Sequence, residues 1–298
     1  MLNAETVRAA TDAGLPEGLA ELYGRLDPAL DPGQPVAVDP RDHQAAAYLW
    51  MAGSYRCGIS AYLVFFLLGD FVAHARRMRP RRFGSLIPFA RSFDATDRFI
   101  KRVTDSGRRP SGGLANPEVV RQLRAIQSVH DRIRVPHWMM AHFGFTLVEQ
   151  LERDLGETDP ALLRRHLRYM AAAFRAMGVP FSADRELMAE FARGIERAHV
   201  RWEPCVADYG RRLLSLGQLV GVRPDLDRLV PLLPETVGPL FRERFEVMRP
   251  GPVARVAGVV LGGLWYPVRR WRNPRPAGRP VWLGDEGGPA PVPSAANP

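Results

Sequence analysis

Apolar residues recur at helical spacing along almost the whole chain, and no stretch shows sustained strand alternation bounded by hairpin signals. This periodicity predicts an all-α protein. Asp159 before Pro160, and Ser182 after a Gly-Val-Pro turn, are typical of residues that cap helix N-termini. The expected helices lie near residues 4–13, 17–26, 41–53, 56–77, 92–105, 117–134, 136–155, 160–177, 183–200, 204–220 and 236–247, with a last one from about 253.

The composition favours one large folded domain. Of the 298 residues, 46% are hydrophobic and 24% are charged, which is ordinary for a globular protein. No linker interrupts the helical pattern before residue 273, so residues 1–272 are expected to form a single domain. The proline- and glycine-rich tail, residues 273–298, is predicted to be extended or disordered.

The net charge of +9 does not by itself indicate a nucleic-acid partner. The basic residues are arginines apart from Lys101, and they are spread along amphipathic segments without an aromatic-basic recognition motif, so no nucleic acid is expected. Cys57 and Cys205 are too few for a disulfide framework or a thiolate metal site. The N-terminal segment lacks the apolar stretch of a secretory signal, which predicts a cytoplasmic location.

The C-terminal segment 253–272 combines apolar residues with a basic, aromatic end. Its apolar run is too short to span a bilayer, yet the tryptophans, tyrosine and arginines at its end suit a lipid headgroup boundary. We expect this segment either to contact a membrane surface peripherally or to pack on the protein body. The sequence leaves the oligomeric state open.

Three of the seven histidines, His130, His137 and His142, lie within thirteen positions. His130 falls in an apolar stripe that begins at Val119, so it is expected to point inward, where an imidazole needs a hydrogen bond or a metal ion. Pro136 should end that helix and begin another, which places His137 and His142 on the flank of the second helix. Neither histidine spacing matches the paired ligands of a zinc-protease helix.

Two further residues bear on metal chemistry. Glu149 is the nearest carboxylate that a non-haem iron site could use, and such a site is a weaker alternative. Thr96 lies, like His130, in an apolar stripe, on the helix that precedes the loop 105–117. A threonine there either bonds the preceding helical turn or faces a binding site.

Four motifs follow one another in a fixed order. Thr96 is followed by a loop, by SVHDRIR at 128–134, by HFGFTLVEQLERDLG at 142–156, and by HLRYMAAAFRAMGVPFSADRELMAEF at 166–191. This order resembles the mpaB / rubber oxygenase catalytic domain family, which includes the latex clearing proteins. The resemblance covers about residues 40–200 and is most specific around His130.

The resemblance implies a globin-like core that holds a non-covalent b-type haem. In the family, the matching histidine opens an H-A-x-V-R motif and is the proximal iron ligand. This implies His130 as the metal ligand, with Arg134 as a second cofactor-binding residue at the haem propionates. The family's distal R-x-x-K-T pattern implies Thr96 and the nearby Arg91 as catalytic residues.

The implied function is a haem b-dependent oxygenase or oxidoreductase that uses O2 or peroxide on an apolar substrate, such as an isoprenoid or another lipid-like molecule. Two departures bear on this activity, because Ala95 stands at the family's lysine position and Ser92 at its arginine position. They favour the alternative of a haem- or lipid-binding helical protein of the same fold without oxygenase activity. A third interpretation is a helical structural or interaction protein in which the histidines are ordinary core or surface residues.

Overall fold

All regular structure in the described residues is helical. The computed structural model describes residues 3–31, 35–53, 55–67, 86–156, 158–220, 222, 225–272, 280 and 282. Within them it has thirteen α-helices, two 3-10 turns and no β-strand, which confirms the all-α prediction.

The helices are α1 (Ala4–Asp12), α2 (Glu17–Gly24), α3 (Pro40–Ala52), α4 (Tyr55–Leu67), α5 (Leu86–Val103), α6 (Pro117–Arg132), α7 (His137–Leu155), α8 (Pro160–Met177), α9 (Arg185–His199), α10 (Pro204–Leu219), α11 (Leu226–Leu229), α12 (Gly238–Met248) and α13 (Pro252–Arg272). The 3-10 turns are Gly113–Ala115 and Val230–Leu232.

Each predicted helix has a counterpart among these elements. The second half of the helix predicted at 56–77 lies outside the described residues, and α5 begins at residue 86 instead of 92. The single turn α11 and the two 3-10 turns were not predicted, because one turn is too short to show a period.

One of the two predicted N-caps is correct. The Asp159 carboxylate accepts a hydrogen bond from the backbone N–H of Ala161 at 2.8 Å and caps α8. The prediction for Ser182 is wrong, because Asp184 caps α9 instead. The Ser182 hydroxyl accepts the backbone N–H of Asp184 at 3.1 Å, one step before the helix, so it shapes the turn and leaves the cap to the stronger acceptor.

The centre of the fold is α7, which is buried on nearly all sides. Every residue from 138 to 148 is buried, and α7 packs against α3, α4, α8 and α9. This part of α7 has no polar face that could contact water, so other helices must enclose it.

A second hydrophobic cluster forms around α10, which packs against α4, α5, α12 and α13. Tyr62 of α4 packs against both this cluster and the one around α7. The two halves of the core therefore meet at α4.

Most of the predicted tail, residues 273–298, lies outside the described residues, but Trp282 is described. It is 8% exposed and packs with Leu49 of α3 and Leu162 of α8. Its indole N–H donates to the Gln44 side chain at 2.7 Å, and the guanidinium of Arg165 lies 4.9 Å from the ring centre. This residue is thus bound to the body of the protein.

Candidate functional site

His130 lies in the last turn of α6 and is half-buried. The buried residues of α6 are Val119, Leu123 and Gln127, whereas Ile126 is half-buried. The buried face of α6 therefore includes Gln127 in place of the predicted Ile126, and His130 lies at the edge of this face. His130 is less enclosed than the sequence pattern predicts.

The end of α6 separates His130 from Arg134. The N–H of Val135 donates to the His130 carbonyl at 3.0 Å, and the N–H of Arg134 donates to the Asp131 carbonyl at 2.9 Å. This is the Schellman arrangement, and it places Arg134 in the left-handed region with φ 54°. Arg134 is exposed and lies in the turn beyond the helix, two residues before Pro136. Pro136 is the N-cap of α7, so the predicted break between the two helices is confirmed.

His137 has a local partner. Its Nε2 lies 2.8 Å from the Asp131 carboxylate, which also accepts a hydrogen bond from the Gln127 side chain at 2.8 Å. His137 and Asp131 both retain solvent exposure. Asp131 therefore ties the end of α6 to the start of α7.

The other predicted site residues lie on α5. Thr96 is half-buried and Arg91 is exposed. One turn before Thr96, the buried Phe93 lies 5.2 Å from the Tyr62 ring, which in turn lies 5.2 Å from the Phe143 ring. These ring contacts join α5, α4 and α7 into an apolar wall near Thr96.

The principal contacts of α5 and α6 are with different helices. Helix α5 packs chiefly on α10, whereas α6 packs chiefly on α8, and both contact the 3-10 turn Gly113–Ala115. Ala95 is exposed, and the side chain of Ser92 lies outside the described residues. The 3-10 turn is therefore a contact that the helices of Thr96 and His130 share.

The loop between α5 and α6 is fixed by Tyr169 of α8, which is 1% exposed. Its hydroxyl donates to the Val103 carbonyl at 2.5 Å and accepts the Leu114 N–H at 3.0 Å. Burial raises the pKa of this hydroxyl. Asp105 holds the loop from within, because its carboxylate accepts the backbone N–H of Ser111 at 2.5 Å.

A buried polar seam between α7 and α9 was not predicted. His142, expected on a flank, is fully buried, and its Nε2 lies 3.4 Å from the Glu196 carboxylate. The hydroxyl of Thr236 donates to the other oxygen of Glu196. Burial raises the pKa of Glu149, and the nearby charge of Glu196 raises it further. The guanidinium of Arg153, whose Nη2 lies 3.8 Å from Oε1 of Glu149, lowers this pKa. The seam thus places a buried imidazole beside a buried carboxylate, so each polar group has a partner inside the fold.

The seam also bears on the non-haem alternative. No group of three histidine, cysteine, aspartate or glutamate side chains in the described part of the chain is arranged to hold a metal ion. Glu149 belongs to the seam with Arg153 and Glu196. The described residues therefore provide no set of three ligands for a non-haem iron centre, which removes support for that alternative.

Part of the seam had a signal in the sequence. His142 and Glu149 are seven residues apart, so they share a face of α7. Their partner Glu196 lies on another helix, 54 positions from His142, and no local pattern joins the two.

Comparison with known proteins gives no match: no family model, no curated protein and no solved structure matches the chain. The resemblance to the mpaB / rubber oxygenase catalytic domain family therefore stays a prediction from the order of motifs around Thr96 and His130.

Proposed function

We propose that the protein binds haem b non-covalently through His130 and oxidises an apolar, isoprenoid- or lipid-like substrate with O2 or peroxide. The observation that carries this proposal is the donor chemistry. Haem iron needs as little as one protein ligand, because the porphyrin supplies four nitrogens. A half-buried histidine at a helix end suits that need, while the described residues lack a cluster suited to a bare metal ion.

Arg134 supports the same assignment. It is exposed, in the turn that follows the helix of His130. A guanidinium there can bind a propionate by paired, charge-assisted hydrogen bonds. The left-handed backbone costs about 1 kcal/mol in a residue other than glycine, so a glycine at this position would be the cheaper choice for the turn alone.

The Thr96 hydroxyl and the apolar wall of Phe93, Tyr62 and Phe143 would face the substrate. When bound, the haem would supply redox chemistry with O2 or peroxide as the oxidant. Thr96 would orient the oxidant through a hydrogen bond from its Oγ1, the aromatic rings would exclude water, and Arg91 would lie at the solvent edge.

A second candidate is a haem- or lipid-binding protein of the same fold that does not activate oxygen. Two residues near Thr96 favour this candidate. Ala95 carries no charge and Arg91 is exposed, so neither places a buried cation next to Thr96. In this candidate His130 still binds iron, but no product forms.

The test is the visible spectrum of the protein, as purified and after titration with haemin, in the oxidised and the dithionite-reduced state. We expect a Soret band that His130→Ala abolishes. The matched control is His137→Ala, since His137 is seven residues away and paired with Asp131. It should keep the spectrum.

Four outcomes are informative. A wild-type protein that neither contains nor takes up haem refutes the proposal, and so does an unchanged spectrum in a folded His130→Ala variant. Incubation of reduced holoprotein with O2 and a polyisoprene or unsaturated lipid, followed by mass spectrometry, separates the two candidates. A product that depends on Thr96 supports the oxygenase, and a stable haem spectrum without product supports the second candidate.

A further inference from the structure

The exposed apolar surface of the described chain is concentrated on one helix. Val253 is 83% exposed and Leu264 is 73% exposed, both on α13. The large hydrophobic residues with such exposure among the described residues are Val247, Val253, Val256, Val259, Val260, Leu261 and Leu264. Six of these seven lie on α13, so this helix presents an apolar face to its surroundings.

The orientation of α13 is fixed by glycines. A Cβ on Gly258 would lie 2.8 Å from the Cβ of Gln218 on α10, and one on Gly262 would lie 2.7 Å from the Gln218 carbonyl oxygen. These two glycines, one turn apart, let the helix backbones approach closely. The opposite face, with Val256, Val260 and Leu264, must then point away from the protein.

The sequence of α13 and of the residues that follow it, up to residue 284, carries charge of one sign. Residues 247–284 contain no aspartate or glutamate. They contain arginines at positions 249, 255, 269, 270, 272, 275 and 279. A second copy of the chain docked through the same face would bring two such basic segments together, which is electrostatically unfavourable. An anionic surface would compensate them.

We propose that α13 is a docking surface for an anionic lipid bilayer. The 21 residues of the helix extend about 30 Å, yet none of the helices in the described part of the chain is long and apolar enough to cross a membrane. Helix α13 lies flat instead. Its valines and Leu264 enter the boundary between headgroups and acyl chains, while the arginines bind lipid phosphates.

The test is co-sedimentation of the full chain with phosphatidylcholine vesicles, with and without phosphatidylglycerol, at low and high salt. We expect binding only to the vesicles that contain phosphatidylglycerol, and weaker binding at high salt. The triple variant Arg269→Gln/Arg270→Gln/Arg272→Gln should bind roughly a hundredfold more weakly, at about 1 kcal/mol for each arginine near the surface.

The apolar face is tested by Val256→Ser/Val260→Ser/Leu264→Ser, which should weaken binding by about tenfold or more. These side chains are exposed, so the variant should fold, and circular dichroism checks this. The matched control is Ala254→Ser/Ala257→Ser, two exposed alanines of the same helix, which should bind nearly as wild type.

Two results would overturn the proposal. One is a wild-type chain that does not sediment with anionic vesicles. The other is a dimer in analytical ultracentrifugation that the valine and leucine substitutions dissociate, because the face would then be occupied by a second copy. Neither result depends on whether His130 binds haem.

Discussion

Tyr169 offers a direct test of how the loop between α5 and α6 is held. Tyr169→Phe removes one hydroxyl, and with it the bonds to the Val103 carbonyl and the Leu114 N–H. Val103 is 4% exposed and Leu114 is 2% exposed, so water cannot easily replace the lost partner. Each buried backbone group left unsatisfied costs about 1–3 kcal/mol, and we expect a total loss of about 2–5 kcal/mol.

The measurement is urea unfolding followed by circular dichroism, with the free energy of unfolding taken at an unchanged m-value. Tyr23→Phe is the matched control, because Tyr23 is 3% exposed and its hydroxyl has no hydrogen-bond partner among the described residues. Its removal should change stability by less than about 1 kcal/mol, or stabilise the protein. Equal losses in the two variants would refute the reasoning, since burial and not hydrogen bonding would then set the effect.

Three further predictions concern packing, pH and the tail. Gly144→Ala should lose about 1–3 kcal/mol in the same unfolding assay, because the new methyl group would overlap the Phe174 ring. Burial lowers the pKa of His166 to about 3 in the folded protein. Below the ordinary histidine pKa, the unfolded chain therefore binds a proton at this imidazole that the folded protein does not, and the free energy of unfolding falls as the pH drops. Between pH 7.5 and pH 5 this group should cost about 2 kcal/mol, and His166→Gln, which can still accept the Trp50 indole N–H, should flatten that slope. Trp282→Ala should speed proteolysis after residue 272 without changing the circular dichroism spectrum, whereas equal cleavage rates would contradict a bound Trp282.

The helix positions could be predicted because their causes are local. The break at Pro136 follows from a missing N–H and a steric clash within one turn, and the cap at Asp159 follows from an acceptor next to a proline. The prediction for Ser182 failed for a local reason too, since a better acceptor, Asp184, stands two residues later. Such competition moves a boundary by a turn or less and leaves the helix intact.

The environment of His130 was less predictable, because the apolar stripe of α6 gives only a direction. The stripe includes either Ile126 or Gln127, and hydrophobicity favours Ile126. The structure buries Gln127, whose amide N–H donates to Asp131 at 2.8 Å, and leaves Ile126 half-buried. The apolar period of α6 therefore could not show how far His130 is enclosed.

The burial of His142 could not be predicted from helix periodicity. A stripe separates the buried from the exposed side of a helix, but α7 has almost no exposed side, so a position off the stripe is buried as well. The usable signal lay on α9, where Glu196 stands within the inward face that includes Met188 and Ile195. A carboxylate in an apolar stripe must find a polar partner, and a histidine on an enclosed helix must do the same. Matching the unsatisfied polar residues of different helices would therefore have paired His142 with Glu196 where periodicity alone could not.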